Sequence, residues 1–231
     1  MASATKNSVS KKKFMRVLIL ANGEAPSEEL AQRLAAEHRL LLATDGAAHR
    51  AVGLGLRPDI ICGDFDSVDL EVAKQEFPEA EFVLTWDQDF ADLEKALQIA
   101  RERGASEITI IGAGGGRIDH ALGGILLLLR YASEIPLCIV DDSAEVWAVS
   151  GMGETLGEQS FSVSPGATIS VLSAAGTAQV TLTGVKWPLE DTLLPIGTHG
   201  ISNVAESEIV KIQVRGGTVL VCHLTPRTKL F

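Results

Sequence analysis

Cysteine is scarce in this chain. Cys62, Cys138 and Cys222 lie far apart among 231 residues, and no CxxC pair is present. An odd count cannot pair fully within one chain, so reduced core thiols in a cytoplasmic protein are expected in preference to disulfides or zinc ligands. Long hydrophobic runs are also missing. The longest, 125–129, falls far short of the ~20 residues that cross a bilayer and reads as part of a buried helix. Basic residues are in deficit, with 20 Lys and Arg against 30 Asp and Glu, a formal net charge of −10. Such a chain has little electrostatic attraction for nucleic acid or an anionic membrane, and no basic patch clusters beyond the N-terminal stretch. The Walker pattern G-x-x-x-x-G-K-[ST] is absent, which argues against an ordinary P-loop kinase.

What is present is the composition of an ordered protein, 46% hydrophobic with mixed charge, long enough for one large domain or two small ones. The opening MASATKNSVSKKKF has charge but no apolar stretch leading to a cleavage site, so 1–14 is expected to be a flexible tail. From 15 to about 150, short apolar runs alternate with helical stretches. Strands are expected at 16–20, 40–44, 59–62, 81–85, 107–111 and 137–140. Helices are expected at 27–37, with Ser27 as N-cap, and at 47–54, 69–76, 90–103 and 119–131. That alternation implies a parallel α/β sheet with helices on both faces. Over 151–231 the helical signals vanish. Runs rich in Val, Ile and Thr at 168–172, 179–182, 208–214 and 218–223, separated by Gly, Pro and Ser, imply a C-terminal all-β domain, sandwich or barrel-like.

In open α/β sheets ligands bind beyond the carboxyl ends of the strands. Four of those ends carry aspartate: Asp45-Gly46 after the second strand, Asp64 and Asp66 after the third, Asp87, Asp89 and Asp92 after the fourth, and Asp119 within GAGGGRIDH (112–120) after the fifth. An aspartate after a strand is often only a helix cap, and Asp59 and Asp69 read as turn and cap residues. As a set, Asp45, Asp64, Asp66, Asp89 and Asp92 imply more. Asp64 and Asp66, two apart, share a side of an extended segment, and Asp89 and Asp92, three apart, share a face at a helix start. Carboxylates gathered without His or Cys favour a hard cation, and magnesium with nucleotide phosphates is its usual use. Gly112, Gly114, Gly115 and Gly116 lack Cβ and let backbone N–H groups approach a phosphate at the start of the following helix. Arg117 adds a planar donor fork. Lys95, one turn beyond Asp92, is either a solvated lysine or a phosphate ligand. His120 by itself reads as a structural hydrogen-bonder.

These pieces resemble the thiamine pyrophosphokinase family. The resemblance rests on DGAA (45–48), PDIICGDFDS (58–67), DQDFADLEKAL (87–97), GAGGGRIDH (112–120), GVKWPL (184–189) and GISN (200–203), and it covers nearly the whole chain after the tail. It implies a transferase that moves pyrophosphate from ATP to the hydroxyl of thiamine, giving thiamine diphosphate and AMP, with Mg2+ as cofactor. It implies a homodimer whose active site joins the α/β domain of one subunit to the β-domain of the other. By motif position Asp64, Asp66 and Asp92 are the magnesium-linked carboxylates. Asp45, Gly46, Gln88, Gly114–Gly116 and His120 belong to the nucleotide region. Lys95, Arg117 and Asp119 handle phosphate and substrate, with Asp119 the candidate to orient or deprotonate the alcohol. Trp187, Ser202 and Asn203 belong to the thiamine site, in a stretch that Pro188 and Pro195 stiffen. Trp187 offers a flat face to a cationic ring; read without the resemblance, it is a core tryptophan. Two rivals stay open: the same scaffold acting on another alcohol such as a pterin, and a non-catalytic nucleotide or metal sensor.

Overall fold

The computed structural model describes residues 14–66, 69–87, 89–153 and 155–224. Five β-α steps open the chain: β1 (Arg16–Leu20), α1 (Glu28–Glu37), β2 (Leu40–Thr44), α2 (Asp45–Gly53), β3 (Ile60–Gly63), α3 (Leu70–Glu76), β4 (Glu81–Leu84), α4 (Asp92–Glu102), β5 (Glu107–Ile111) and α5 (Ile118–Tyr131), then β6 (Leu137–Val140). Strands β4-β3-β2-β1-β5-β6 pair in parallel in that spatial order. Side-chain alternation along β1 shows why the sheet carries helices on both faces. Val17 and Ile19 pack with Ala96, Leu97 and Leu128 of α4 and α5, whereas Leu18 and Leu20 pack with Leu30, Leu34 and Ala47 of α1 and α2.

The remaining strands are β7 (Ala144–Gly151), β8 (Gly157–Ser162), β9 (Thr168–Ser173), β10 (Ala178–Thr183), β11 (Leu189–Leu194), β12 (Gly200–Val204), β13 (Ile209–Arg215) and β14 (Gly217–Leu224). They form a sandwich with an unusual feature. β7 pairs antiparallel with β6, and β14, β9 and β12 follow, so one ten-stranded sheet runs through both halves of the chain. The second layer is β11-β10-β13-β8. Val149, Val171 and Val221 of the long sheet meet Val180, Ile212 and Val214 of the short one in a third core.

The 125–129 run differs from its reading as a buried segment. Leu127 and Leu128 are buried, but Leu126 is exposed, in line with Ile118 and Leu122 at spacings of four on α5. Asp89 also lies outside α4, which starts at Asp92, and its N–H donates to Asp87 in a turn. Asp59 and Asp69 do serve as turn and cap. Asp59 accepts from the Leu41 N–H at 2.7 Å, and Asp69 accepts from the Glu71 and Val72 N–H groups.

One helix end carries a pH dependence. His38, the C-cap of α1, joins the Leu34 carbonyl through Nδ1 and the buried Thr109 hydroxyl of β5 through Nε2, at 2.8 Å. Burial holds its pKa below the ordinary histidine value, with Arg16 adding to the fall and Leu34, Glu107 and Glu37 opposing it. The unfolded chain therefore binds this proton more tightly, and the stability His38 contributes is present above its unfolded pKa and lost as pH falls through the acid side of that value. Urea titrations at pH 7.5 and 5.5 should show a smaller drop in midpoint for His38→Gln than for the wild type.

Candidate active site

Strand order reverses beside β1: the chain runs outward through β2, β3 and β4, then returns to place β5 on the other side. Such a switch point is where open α/β sheets bind ligands. A cavity of about 630 Å³ opens there, lined by Asn22, Thr44, Asp64, Gly112 and the starts of α4 and α5.

Beside it, next in the chain to the lining residue Thr44, stands Asp45, which does not itself line the cavity. α2 begins directly at the end of β2, which buries Asp45, and its carboxylate accepts from the Gly46 N–H at 2.6 Å and the Phe65 N–H at 2.8 Å. Burial pushes its carboxyl above the usual range despite those donors, and the charges of Asp92 and Asp64 add to the rise. Phe65 adopts a left-handed φ of 57°. The Asp64-Phe65-Asp66 segment is therefore a turn rather than the extended run expected from the two-residue spacing. The turn brings carboxylate oxygens of Asp45, Asp64 and Asp66 within 4.8 Å of one another. Asp92, grouped with Asp64 and Asp66 by resemblance, lines the same cavity but holds the buried Lys95 ammonium at 3.1 Å. The buried Cys62 thiol is pushed up to about 12, first by burial and then by Asp45 and Asp92, so it is no nucleophile.

The α5 side is open to solvent. Arg117 grips Asp119 with Nη2–Oδ2 at 2.6 Å and Nε–Oδ1 at 3.1 Å. That hydrogen-bonded guanidinium holds the Asp119 carboxyl at about 2. A carboxylate so strongly ionised is a poor proton acceptor and a good hydrogen-bond acceptor, which suits orientation of an alcohol better than its deprotonation. His120 lines the cavity beside it.

The glycines have a different first use from the one their loop suggests. A Cβ on Gly112, at φ 69°, would meet the Ala21 carbonyl oxygen at 2.5 Å, and one on Gly115 would meet the Glu24 carboxylate. The Gly23 and Glu24 N–H groups donate to the Gly112 and Gly114 carbonyls at 2.6 and 2.8 Å. Gly112 and Gly115 thus seat the loop after β1, and only Gly116 faces open space.

Helix caps set the electrostatics. α1 and α3 are capped by the side chains of Ser27 and Asp69, but α2, α4 and α5 have no side-chain cap. The starts of α4 and α5 line the cavity, so orphan N–H groups and positive dipole ends face it. That arrangement receives anions.

Trp187, Ser202 and Asn203 form a second group on the β-domain. The Asn203 side chain takes the Trp187 N–H at 3.1 Å and donates to its carbonyl at 2.6 Å. This pins a tryptophan that is 54% exposed, far from a core residue. Lys186 already covers the ring at 4.8 Å. Ser202 sits at φ 64°, with its N–H bonded to Ser170. None of the three lines the 630 Å³ cavity. Gln88 lies outside the described residues.

Sequence reasoning passed over Asn22, Thr44, Phe90, Glu94 and Arg130, all lining the cavity. Asn22 stands on the same sheet edge as the aspartates, a usable signal. Glu94 and Arg130 gave none. They meet only because α4 packs beside α5, where the buried Glu94 carboxylate takes Arg130 at 2.7 Å and the Tyr131 hydroxyl at 3.0 Å.

The chain is similar to known proteins along most of its length. Residues 31–139 match the family described as thiamin pyrophosphokinase, catalytic domain, and 158–219 match its vitamin B1 binding domain. The chain is 30% identical to thiamine pyrophosphokinase 1 of Oryza sativa subsp. japonica over 199 residues, covering 75% of each chain. The solved thiamine pyrophosphokinase of Bacillus subtilis superposes with a TM-score of 0.79 at 25% identity, covering 91% of this chain and 99% of that one. That of Geobacillus thermodenitrificans gives 0.78 at 26%, covering 94% and 100%. The chain belongs to the thiamine pyrophosphokinase family.

Proposed function

We propose that the cavity aligns ATP and thiamine for pyrophosphate transfer, the reaction of the family, and that Asp45, Asp64 and Asp66 hold a magnesium ion there. The observation that carries the metal is the all-oxygen cluster within 4.8 Å, a donor set suited to a hard cation. Bound there, magnesium would neutralise phosphate charge and leave coordination positions for phosphate oxygens. The thiamine hydroxyl oxygen attacks the β-phosphorus, and the bond from that phosphorus to the α–β bridging oxygen breaks. AMP leaves with the bridging oxygen, and the alcohol proton passes to solvent. Lys95, Arg117 and the open ends of α4 and α5 balance the charge of transferred and leaving groups. Asp119 orients the alcohol. Residues 15–150 carry nucleotide and metal, and 151–231 supply thiamine contacts through Trp187, Ser202 and Asn203. The three unpaired cysteines suit the reducing cytoplasm. No helix among the described residues is long and apolar enough to cross a membrane.

The direct test mixes protein, Mg-ATP and thiamine, and follows AMP together with the mass of thiamine diphosphate. AMP released only with thiamine supports the reading. ADP with thiamine monophosphate means a different bond is cut, and no thiamine-dependent product from folded protein favours another alcohol or a sensor.

A homodimer with a shared site belongs to the same reading. Two things support it: the cavity draws every lining residue from 21–130, and Ile118, Leu122 and Leu126 expose an apolar stripe beside it. Trp187→Ala should raise the Michaelis constant for thiamine about tenfold with little change for ATP, as expected for a lost stacking surface. At thiamine well below the wild-type Michaelis constant, where Trp187→Ala alone is about tenfold less active, mixing it with Asp66→Asn subunits should restore about a quarter of wild-type activity, because half the dimers carry one intact site of two. No recovery after subunit exchange would mean that each chain builds its own site.

A further inference from the structure

Thr44 occupies the N-cap position of α2, with φ −68° and ψ 154°, yet its side chain caps nothing. A cap threonine ordinarily accepts from the second or third N–H of its helix. Alternation along β2 explains where the hydroxyl lies. Leu41 and Ala43 belong to the core under α1 and α2, and Leu42 to the core under α4 and α5. Thr44 shares the face of Leu42, at the strand end, and so lines the cavity. It is 2% exposed, and its Oγ1 has no hydrogen-bond partner among the described residues. Thr85 and Trp147 also hold such an atom, but neither lines this cavity.

A buried hydroxyl without a partner costs free energy, and a ligand that completes it recovers that cost. The neighbouring side chains narrow the choice of ligand. Asp64 and Asp92 only accept when ionised, whereas the hydroxyl can donate. The uncapped first turn of α4, residues 91–93, lines the same space with N–H donors, and Lys95 stands one turn further on. Donors from a strand end, a helix start and a lysine together favour an anion with several oxygens. We propose that Thr44 is a substrate-contacting residue that donates its hydroxyl hydrogen to a phosphate oxygen of the nucleotide's polyphosphate. This rests on the ATP-dependent reading above. The contact is to the β- or γ-phosphate, so AMP lacks it, and it passes with the transferred group to the diphosphate product.

The test compares wild type, Thr44→Val and Thr44→Ser by titration calorimetry. The titrants are the magnesium salt of α,β-methylene-ATP, which cannot be cleaved at the reacting bond, then AMP and thiamine. Apo melting is measured alongside. Thr44→Val keeps the shape and removes the donor. It should bind the analogue about tenfold more weakly, the worth of one neutral hydrogen bond, with AMP and thiamine unchanged and melting no lower than wild type. Thr44→Ser should bind the analogue like wild type. Wild-type affinity in Thr44→Val would overturn the proposal, since the hydroxyl would then be served by water or by the fold. Equal weakening of AMP, or weakening of thiamine alone, would overturn it by assigning the hydroxyl elsewhere. A wild type that binds no analogue would overturn the ATP-dependent reading, and Thr44's role with it.

Discussion

Asp66→Asn lowers thiamine-dependent AMP release about 10³-fold, close to 4 kcal/mol of transition-state stabilisation, while the melting temperature stays at the wild-type value. The side chain is exposed, and asparagine keeps its size, so nothing in the core is disturbed. What is lost is one of three carboxylates clustered within 4.8 Å of one another, the group proposed to hold the cation. The Asp66 N–H donates to Asp64 at 3.3 Å, and this backbone contact survives the substitution. Activity and melting are measured across a magnesium titration. Full recovery at saturating magnesium would show that Asp66 sets only metal affinity, and activity retained at every concentration would remove it from the site.

Gly63→Ala damages the site from behind. Gly63 ends β3, and a Cβ there would meet the Asp45 carboxyl carbon at 2.2 Å and its oxygens at 2.3 and 2.6 Å. Asp45 must turn away, giving up the Gly46 and Phe65 N–H groups. We expect a loss of about 2–4 kcal/mol of stability from overpacking and unpaired buried groups, with kcat down about 100-fold as the cluster opens. Urea unfolding and steady-state kinetics read the two effects separately. Adding Asp45→Ala removes the clash, so the double variant should regain the part of the stability lost to overpacking and stay inactive. A single variant of wild-type stability would mean that the strand end yields without strain.

Both expectations depend on a geometry only partly legible beforehand. The aspartates could be placed because each follows an apolar run, and a strand end is a local property of sequence. Ser27 and Asp69 were readable as caps for the same reason. Phe65 was not: an aromatic residue at positive φ has no local preference to announce it, and its turn is held by the Phe65 N–H bonded to Asp45, twenty residues earlier in the chain. The glycine loop shows the same limit. Its composition suggested a phosphate cradle, but the space beside Gly112 and Gly115 is filled by the loop after β1.

The β-domain marks the boundary more broadly. β9, β10, β13 and β14 are rich in Val, Ile and Thr and were expected, and β10 and β13 alternate strongly, whereas β8, β11 and β12 were not expected. GEQSFS and LEDTLL bury few side chains, and β12 is an edge strand with a register shift. Pairing partners define such strands, not hydrophobic pattern. β7 was missed although it runs through VWAV and pairs with β6 just before it, because its side chains are mostly half-buried and do not alternate. The sequence by itself determined the alternating α/β order, the acidic strand ends and the family. The tertiary structure decided which carboxylates meet, that Arg130 reaches Glu94, that Thr44 lines the cavity, and that one sheet joins both halves. Local preferences act over a few residues, whereas these contacts are closed by packing across tens of them.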